Sequence, residues 1–205
     1  MTLYKEHNLT PEETIEYLKK GNERFYKNLT SKKDFPSQLT YTKEEQYPKA
    51  VIFTCVDSRV PVEYIFDLNI GDVFVIRVAG NVVNDDILAS TEFGCKIAGA
   101  KLILVLGHEN CGAVKSAISQ VKLGYISGLL EKIEPAISQS QEFCGEKVVE
   151  NADYVKYVAI KNVEHTLDEI RLKSSILSQM EKDGEIKMLG AIYSLSTGKV
   201  TFFED

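Results

Sequence analysis

Nothing in these 205 residues approaches the roughly 20 consecutive apolar positions of a bilayer-spanning helix, so no membrane segment is expected. The opening residues, Met1-Thr2-Leu3-Tyr4-Lys5-Glu6-His7, lack the apolar core of a signal peptide, which makes a cytoplasmic protein the expectation. Positive charge is in deficit: 24 Lys and Arg stand against 30 Asp and Glu, a net charge of −6. Nucleic-acid binding calls for the opposite balance, so no nucleic-acid partner is expected. Cysteines number only 4 and none stands in a Cys-x-x-Cys pair. That argues against a disulfide framework, a zinc knuckle and a redox dithiol. Repeats and low-complexity tracts are also missing.

What is present is an ordinary globular composition, 44% hydrophobic and 26% charged. It fits one domain over residues 1–205, with a helical arm at 1–48 and an α/β core at 49–205. Thr10-Pro11-Glu12-Glu13 reads as a capping box that opens a helix to about residue 28, with Ile15, Leu18 and Phe25 on one face. Residues 29–48 are polar and read as irregular. So long a connection suggests that the first helix packs away from its own core, on a second subunit.

Beyond it the pattern alternates. Ala50–Thr54, 73–78 and 101–106 read as buried strands, separated by a short helix at 61–68 and an Asn84-capped helix that stops near Gly99. Helical spacing follows from Cys111 to about 123, from Ser127 to Phe143, from Val148 to Leu172 and from 174 to 180. The chain then turns at Asp183-Gly184 into strands at 186–193 and 200–203. The expected fold is α/β: a central, mainly parallel sheet flanked by helices, closed by an antiparallel C-terminal hairpin. Cys95 and Cys144 fall in helical pattern and read as inert packing.

Two loops carry the chemistry. Cys55-Val56-Asp57-Ser58-Arg59 follows the first strand, and His108-Glu109-Asn110-Cys111-Gly112 follows the third. In open α/β sheets, sites collect beyond the carboxyl ends of the strands where the strand order reverses. Neighbouring parallel strands would bring Cys55, His108 and Cys111 to one point. Two thiolates and an imidazole suit Zn²⁺, and three protein ligands leave a fourth tetrahedral position open, as in catalytic rather than structural sites. A strand-end histidine alone is often only hydrogen-bonded to backbone; the two loops together say more.

Asp57 and Arg59 are two residues apart and can pair bidentately, which would keep the carboxylate ionised and fix its direction. A loop-stabilising ion pair explains them equally well in isolation. Beside a metal ligand, the pair would orient a metal-bound water, or Asp57 would itself ligate the metal and close the site. Gly112, after Cys111, allows a ligand to approach the backbone at a helix N-terminus. His7 and His165 read as solvated surface residues.

Taken together, these segments resemble the β-class carbonic anhydrases from about residue 10 to the end. The resemblance rests on Gly21-Asn22-Glu23-Arg24-Phe25, on 55–61, on Gly71 through Asn81, on 107–113, and on Gly190-Ala191-Ile192-Tyr193. It implies zinc on Cys55, His108 and Cys111, an Asp57–Arg59 dyad, and reversible hydration of carbon dioxide by attack of zinc-bound hydroxide. It also implies a homodimer, or a dimer of dimers, whose N-terminal helices embrace the partner. Gln46, Phe74 and Phe93 match residues lining the carbon dioxide pocket, some reaching in from a neighbouring subunit; Phe93 is tyrosine in some members. Part of the family closes its zinc with the aspartate and holds an inhibitory bicarbonate through Trp, Arg and Tyr. Arg77 and Tyr193 match that pattern, but Ile52 stands at the tryptophan position and the chain has no Trp. The openly coordinated type is therefore expected. Two alternatives remain: hydrolysis of carbonyl sulfide or carbon disulfide at the same site, and a non-catalytic zinc-binding regulatory homologue.

Overall fold

A computed structural model of the chain describes residues 9–204. His7 lies outside them. The capping box forms as expected: Glu13 N–H donates to Thr10 Oγ1 at 3.2 Å and Thr10 N–H donates to Glu13 Oε2 at 2.8 Å. These bonds satisfy backbone donors that the first turn leaves unpaired, and α1 runs Pro11–Tyr26.

Helix α1 does not stand away from its own core. Ile15 and Leu18 are buried in a cluster with Ile52, Leu104 and Phe66 of the same chain. Gly21 explains how closely the helix docks: a Cβ there would lie 2.0 Å from the Phe66 carbonyl oxygen. Asn22 completes the joint, donating to the carbonyls of Ile65 and Gly198 and accepting from Val200 N–H. The expected displacement of this helix from its own core is thus corrected. The 29–48 connection leaves it free to fold back, and its apolar stripe finds its own sheet first.

That connection is also less irregular than its composition suggests. Asp34 caps a second helix, α2, over Phe35–Thr42, by accepting from Ser37 N–H at 3.3 Å. Pro36 occupies the first turn, where a missing N–H costs nothing. Its polar composition conceals the helix, because α2 buries only Gln38.

The core is a 5-stranded sheet in the order β2-β1-β3-β4-β5, made of β1 Ala50–Thr54, β2 Val73–Arg77, β3 Leu102–His108, β4 Lys187–Tyr193 and β5 Val200–Phe202. The first four are parallel, and β5 closes antiparallel on β4. β1 and β3 are buried along their whole length, which is why both read as unbroken apolar runs. Alternation assigns the two faces. Val51, Phe53, Ile103 and Val105 face a cluster built on the long helix α8, Ala152–Lys173, while Ile52, Leu102 and Leu104 face α1 and the short helix α3, Val62–Ile65.

Between these strands, α4 spans Asp85–Glu92 and runs into a π-helical turn at Phe93–Ile97; α5 spans Gly112–Ile118. The single helical stretch expected at 127–143 is two helices, α6 Gly124–Glu131 and α7 Glu134–Ser138, with Pro135 opening the second. α8 runs Ala152–Lys173 under an Asn151 cap, and α9 runs Ser175–Lys182. Cys144 lies in the exposed loop before α8 rather than in a helix. His165 is half-buried on α8, not solvated. Among the described residues, no helix is long and apolar enough to cross a membrane.

Candidate metal centre

The strand order reverses at β1, whose chain continues to β2 on one side and later to β3 on the other. Register puts Thr54 beside Leu106, so the residues just beyond these positions meet at one end of the sheet. Cys55 follows β1 directly. His108 is the last residue of β3, two residues beyond the end of the expected strand, and Cys111 is the N-cap of α5. All three side chains are buried, and their ligand atoms lie within 4.8 Å of one another. The two sulfurs are 3.9 Å apart. The expected trio therefore converges.

The donor set fits a soft divalent cation. His108 Nδ1 lies 2.8 Å from the Glu109 carbonyl, which fixes the tautomer with its proton on Nδ1 and leaves Nε2 as a lone-pair donor. That Nε2 is buried with no hydrogen-bond partner among the described residues, a costly state for a polar atom unless something else takes its lone pair. The Cys55 thiol is held well below its ordinary range, first by the hydrogen bond from Cys111, against burial, with His108 and the Gly80 and Asp57 backbone contributing. Cys111 is raised by the adjacent Cys55 sulfur and by burial. Two thiolates this close would repel; a divalent ion between them would reverse the sign. Cys95, by contrast, is simply buried and pushed up to about 12, in keeping with inert packing.

Asp57 and Arg59 sit at the mouth. The guanidinium donates from Nε to Asp57 Oδ1 at 2.9 Å and from Nη2 to Oδ2 at 2.7 Å, and Arg59 N–H adds a third bond to Oδ1. The Arg59 hydrogen bonds outweigh burial and hold the Asp57 carboxyl far below the usual carboxylate range. Oδ2 comes to 3.8 Å from His108 Nε2, but Asp57 is not within the tight ligand cluster. Arg59 also reaches the Asn110 carbonyl at 3.4 Å, which ties the two loops together.

Several supports escape a reading of the sequence. Arg77, at the end of β2, donates to the carbonyls of Asp57 at 2.6 Å and Val60 at 2.8 Å, so it holds the turn that carries the dyad. Glu109 is gripped by Lys156 at 3.0 Å and Ser194 at 2.9 Å, which fixes the peptide whose carbonyl orients His108. Gly80 N–H donates to Cys55 Sγ at 3.3 Å. Each support comes from a distant part of the chain. Only the Gly71–Asn81 segment carries a local signal.

The pocket residues are not all brought together by one chain. Gly112 opens α5, and the space beyond its Cα is clear. Phe74 and Phe93 face one another at 6.3 Å between ring centroids and line a cavity of about 480 Å³ on the free β2 edge. Phe74 pairs with Val51, three positions short of Thr54, so it lies about 10 Å back along the strand from the metal end. Gln46 is exposed and precedes β1, at the opposite end of that strand from Cys55. Ile52 is buried mid-strand, and Tyr193 pairs with His108.

Comparison with known proteins gives a consistent result. A family model described as carbonic anhydrase matches residues 50–200. "Carbonic anhydrase 2" of Mycobacterium tuberculosis is 32% identical over 201 residues, covering 94% of this chain and 92% of that protein. The carbonic anhydrase of Mycolicibacterium smegmatis is 32% identical over 202 residues, covering 94% and 93%. Among solved structures, a β-carbonic anhydrase of Aspergillus fumigatus superposes with a TM-score of 0.72 at 26% identity, covering 82% of this chain and 81% of that one. The Coccomyxa enzyme gives a TM-score of 0.73 at 25% identity, covering 82% and 77%.

Proposed function

Because the chain belongs to the β-class carbonic anhydrase family and is an enzyme of that kind, we propose that it hydrates carbon dioxide reversibly to bicarbonate and a proton at the Cys55, His108 and Cys111 cluster, with Asp57 and Arg59 as the orienting dyad. The observation that carries this reading is the placement of Asp57: 3.8 Å from the unpartnered His108 Nε2, with both carboxylate oxygens held by Arg59. Cys55, His108 and Cys111 would hold one Zn²⁺ per chain and leave its fourth tetrahedral position for the reaction. When bound, that ion supplies the Lewis acidity that makes water a nucleophile near neutral pH.

The chain's own residues do the rest. An ionised Asp57 can only accept a hydrogen bond, so it selects the orientation in which the reacting oxygen points its O–H at the carboxylate and its lone pair at carbon. Arg59 keeps Asp57 charged and stops it rotating. Its grip on both oxygens supports the openly coordinated type, with Asp57 off the metal. So does Arg77, whose guanidinium is committed to the Asp57 and Val60 carbonyls, and so does Ile52 at the tryptophan position. The proton passes to buffer: among the described residues the one histidine besides His108 is His165, on α8.

The substrate pocket is completed in a homodimer or a dimer of dimers. Gln46, at the far end of β1 in its own chain, would serve the site of a second copy, and Phe74 with Phe93 would line the shared pocket from the β2 edge. Exposed Phe35, Leu39, Tyr64 and Phe93 support an assembly that covers them.

A stopped-flow carbon dioxide hydration assay on protein of measured zinc content tests the reading. Hydration proportional to zinc occupancy and dependent on buffer concentration is expected. Zinc-loaded protein without hydration would overturn it, and parallel assays with carbonyl sulfide and carbon disulfide would identify the alternative substrates.

A further inference from the structure

The Ala79–Asn81 turn is an unusual piece of backbone for its position. Gly80 and Asn81 both have positive φ, 67° and 44°, and both are buried. A Cβ at Gly80 would come within 2.8 Å of Ile133 Cδ1 and 3.1 Å of Ala113 Cβ, and the positive φ favours glycine there. The turn has one contact with the metal cluster, the Gly80 N–H to Cys55 Sγ bond at 3.3 Å. Its outer side is held from α8, some eighty residues later in the chain. Asn162 Nδ2 donates to the Gly80 carbonyl at 2.8 Å, and Thr166 Oγ1 donates to the Asn81 carbonyl at 3.0 Å.

Asn162 is almost fully buried, yet its Oδ1 has no hydrogen-bond partner among the described residues. An amide left half-satisfied in a core is less stable than an apolar residue of similar volume. Packing therefore does not account for it. What Asn162 supplies is a fixed Gly80 residue, and hence a fixed N–H aimed at the sulfur.

We infer that Asn162, assisted by Thr166, is a positioning residue for the metal centre: it locks the Gly80 turn so that its N–H draws charge from the Cys55 sulfur. The inference rests on the metal reading of the Cys55, His108 and Cys111 cluster. Its physical content is that a hydrogen bond into a ligating thiolate lowers the electron donation of that sulfur, which leaves the ion a stronger Lewis acid. The contact that matters is indirect, since Asn162 touches neither sulfur nor ion.

Cobalt(II) substitution tests this, because its thiolate-to-metal charge-transfer bands report directly on sulfur donation. Wild-type protein, Asn162→Leu and Thr166→Val are loaded with Co²⁺ and their spectra recorded, with zinc affinity measured by chelator competition and folding by circular dichroism. The Asn162→Leu band is expected at longer wavelength than wild type, because the Cys55 sulfur then donates more charge to the ion. Thr166→Val, which keeps the Gly80 contact, is expected to shift the band in the same direction by less, and it carries the test if Asn162→Leu does not fold. Unmoved bands in the folded variants would overturn the inference, whatever happens to thermal stability. Wild-type protein that takes up no Co²⁺ would overturn the metal reading itself, and this inference with it.

Discussion

Asp57 Oδ2 stands 3.8 Å from His108 Nε2, across the space towards which the unpartnered ring nitrogen is directed. The carboxylate is not free to swing into that space, because Arg59 holds both of its oxygens. A mobile carboxylate would be a fourth ligand. One held like this would, on the proposed function, be an acceptor beside the open position. Asp57→Asn separates the two roles. The amide keeps the shape and can still accept from Arg59 through its oxygen, but its NH₂ then faces the site as a donor. Zinc content is expected to stay at one per chain while hydration falls by roughly 100-fold or more. Metal analysis and stopped-flow rates on one preparation check this, and near-normal turnover would remove Asp57 from the mechanism.

Cys111→Ser tests the ligand set itself. A serine hydroxyl is a hard, neutral donor with little affinity for Zn²⁺ in place of a thiolate. It leaves only Cys55 and His108 in the cluster, too few to retain the ion against a chelator. Zinc content after dialysis is expected near zero, with activity lost in parallel. Full occupancy in this variant would mean that the metal is held elsewhere.

The site was more legible in the sequence than the framework that supports it, and the reason is physical. Cys55, Asp57, Arg59, His108 and Cys111 lie at or just beyond the ends of two continuous apolar strands, so adjacency in sequence and parallel pairing were enough to bring Cys55, His108 and Cys111 together. The sheet was legible for the same reason. α2 was not, because it buries little more than Gln38 and so carries no apolar period. The docking of α1 was misplaced because a long connection does not reveal where a helix goes. Its Gly21 against the Phe66 carbonyl is a contact across many residues that periodicity cannot encode. Arg77 and Asn162 act through hydrogen bonds to distant backbone, and Glu109 through bonds from the distant side chains of Lys156 and Ser194; nothing in their spacing marks these partners.

Arg77 extends the point to function. Its two bonds, to the Asp57 and Val60 carbonyls, hold the backbone on which the dyad stands, and it reaches them from the neighbouring strand. Arg77→Met keeps the aliphatic stem and deletes both bonds. Cys55, His108 and Cys111 lie outside that turn's carbonyls, so zinc content is expected to be unchanged. Displacement of Asp57 by a fraction of an ångström is expected to reduce hydration by roughly 10- to 100-fold. Equal activity in variant and wild type would show that the Asp57–Arg59 pair holds its own position without help from β2.

Asp67 governs how the arm is attached, and its acid dependence can be worked out with its sign. The side chain is buried at the end of α3. It receives Arg24 Nε at 2.6 Å and Lys33 Nζ at 2.9 Å, together with the N–H and hydroxyl of Ser31. It thereby fastens the end of α1 and the start of the 29–48 connection to the core. Burial opposes its ionisation, but the bonds from Lys33, Arg24 and Ser31 outweigh that and lower its pKa to about 2 from an ordinary 3.8. A depressed carboxylate contributes stability that is present in full above its unfolded pKa and is lost as pH falls through the folded one. The contribution should therefore be complete near neutrality, begin to fall below about pH 4, and be nearly gone at about pH 2. Its size at pH 7 is about 2 kcal/mol, at 1.36 kcal/mol per unit. Asp67→Asn is expected to lose that amount in urea unfolding at pH 7, and the gap to wild type is expected to close as both are taken towards pH 2. A constant gap across that range would assign the loss to packing rather than to the charge on Asp67.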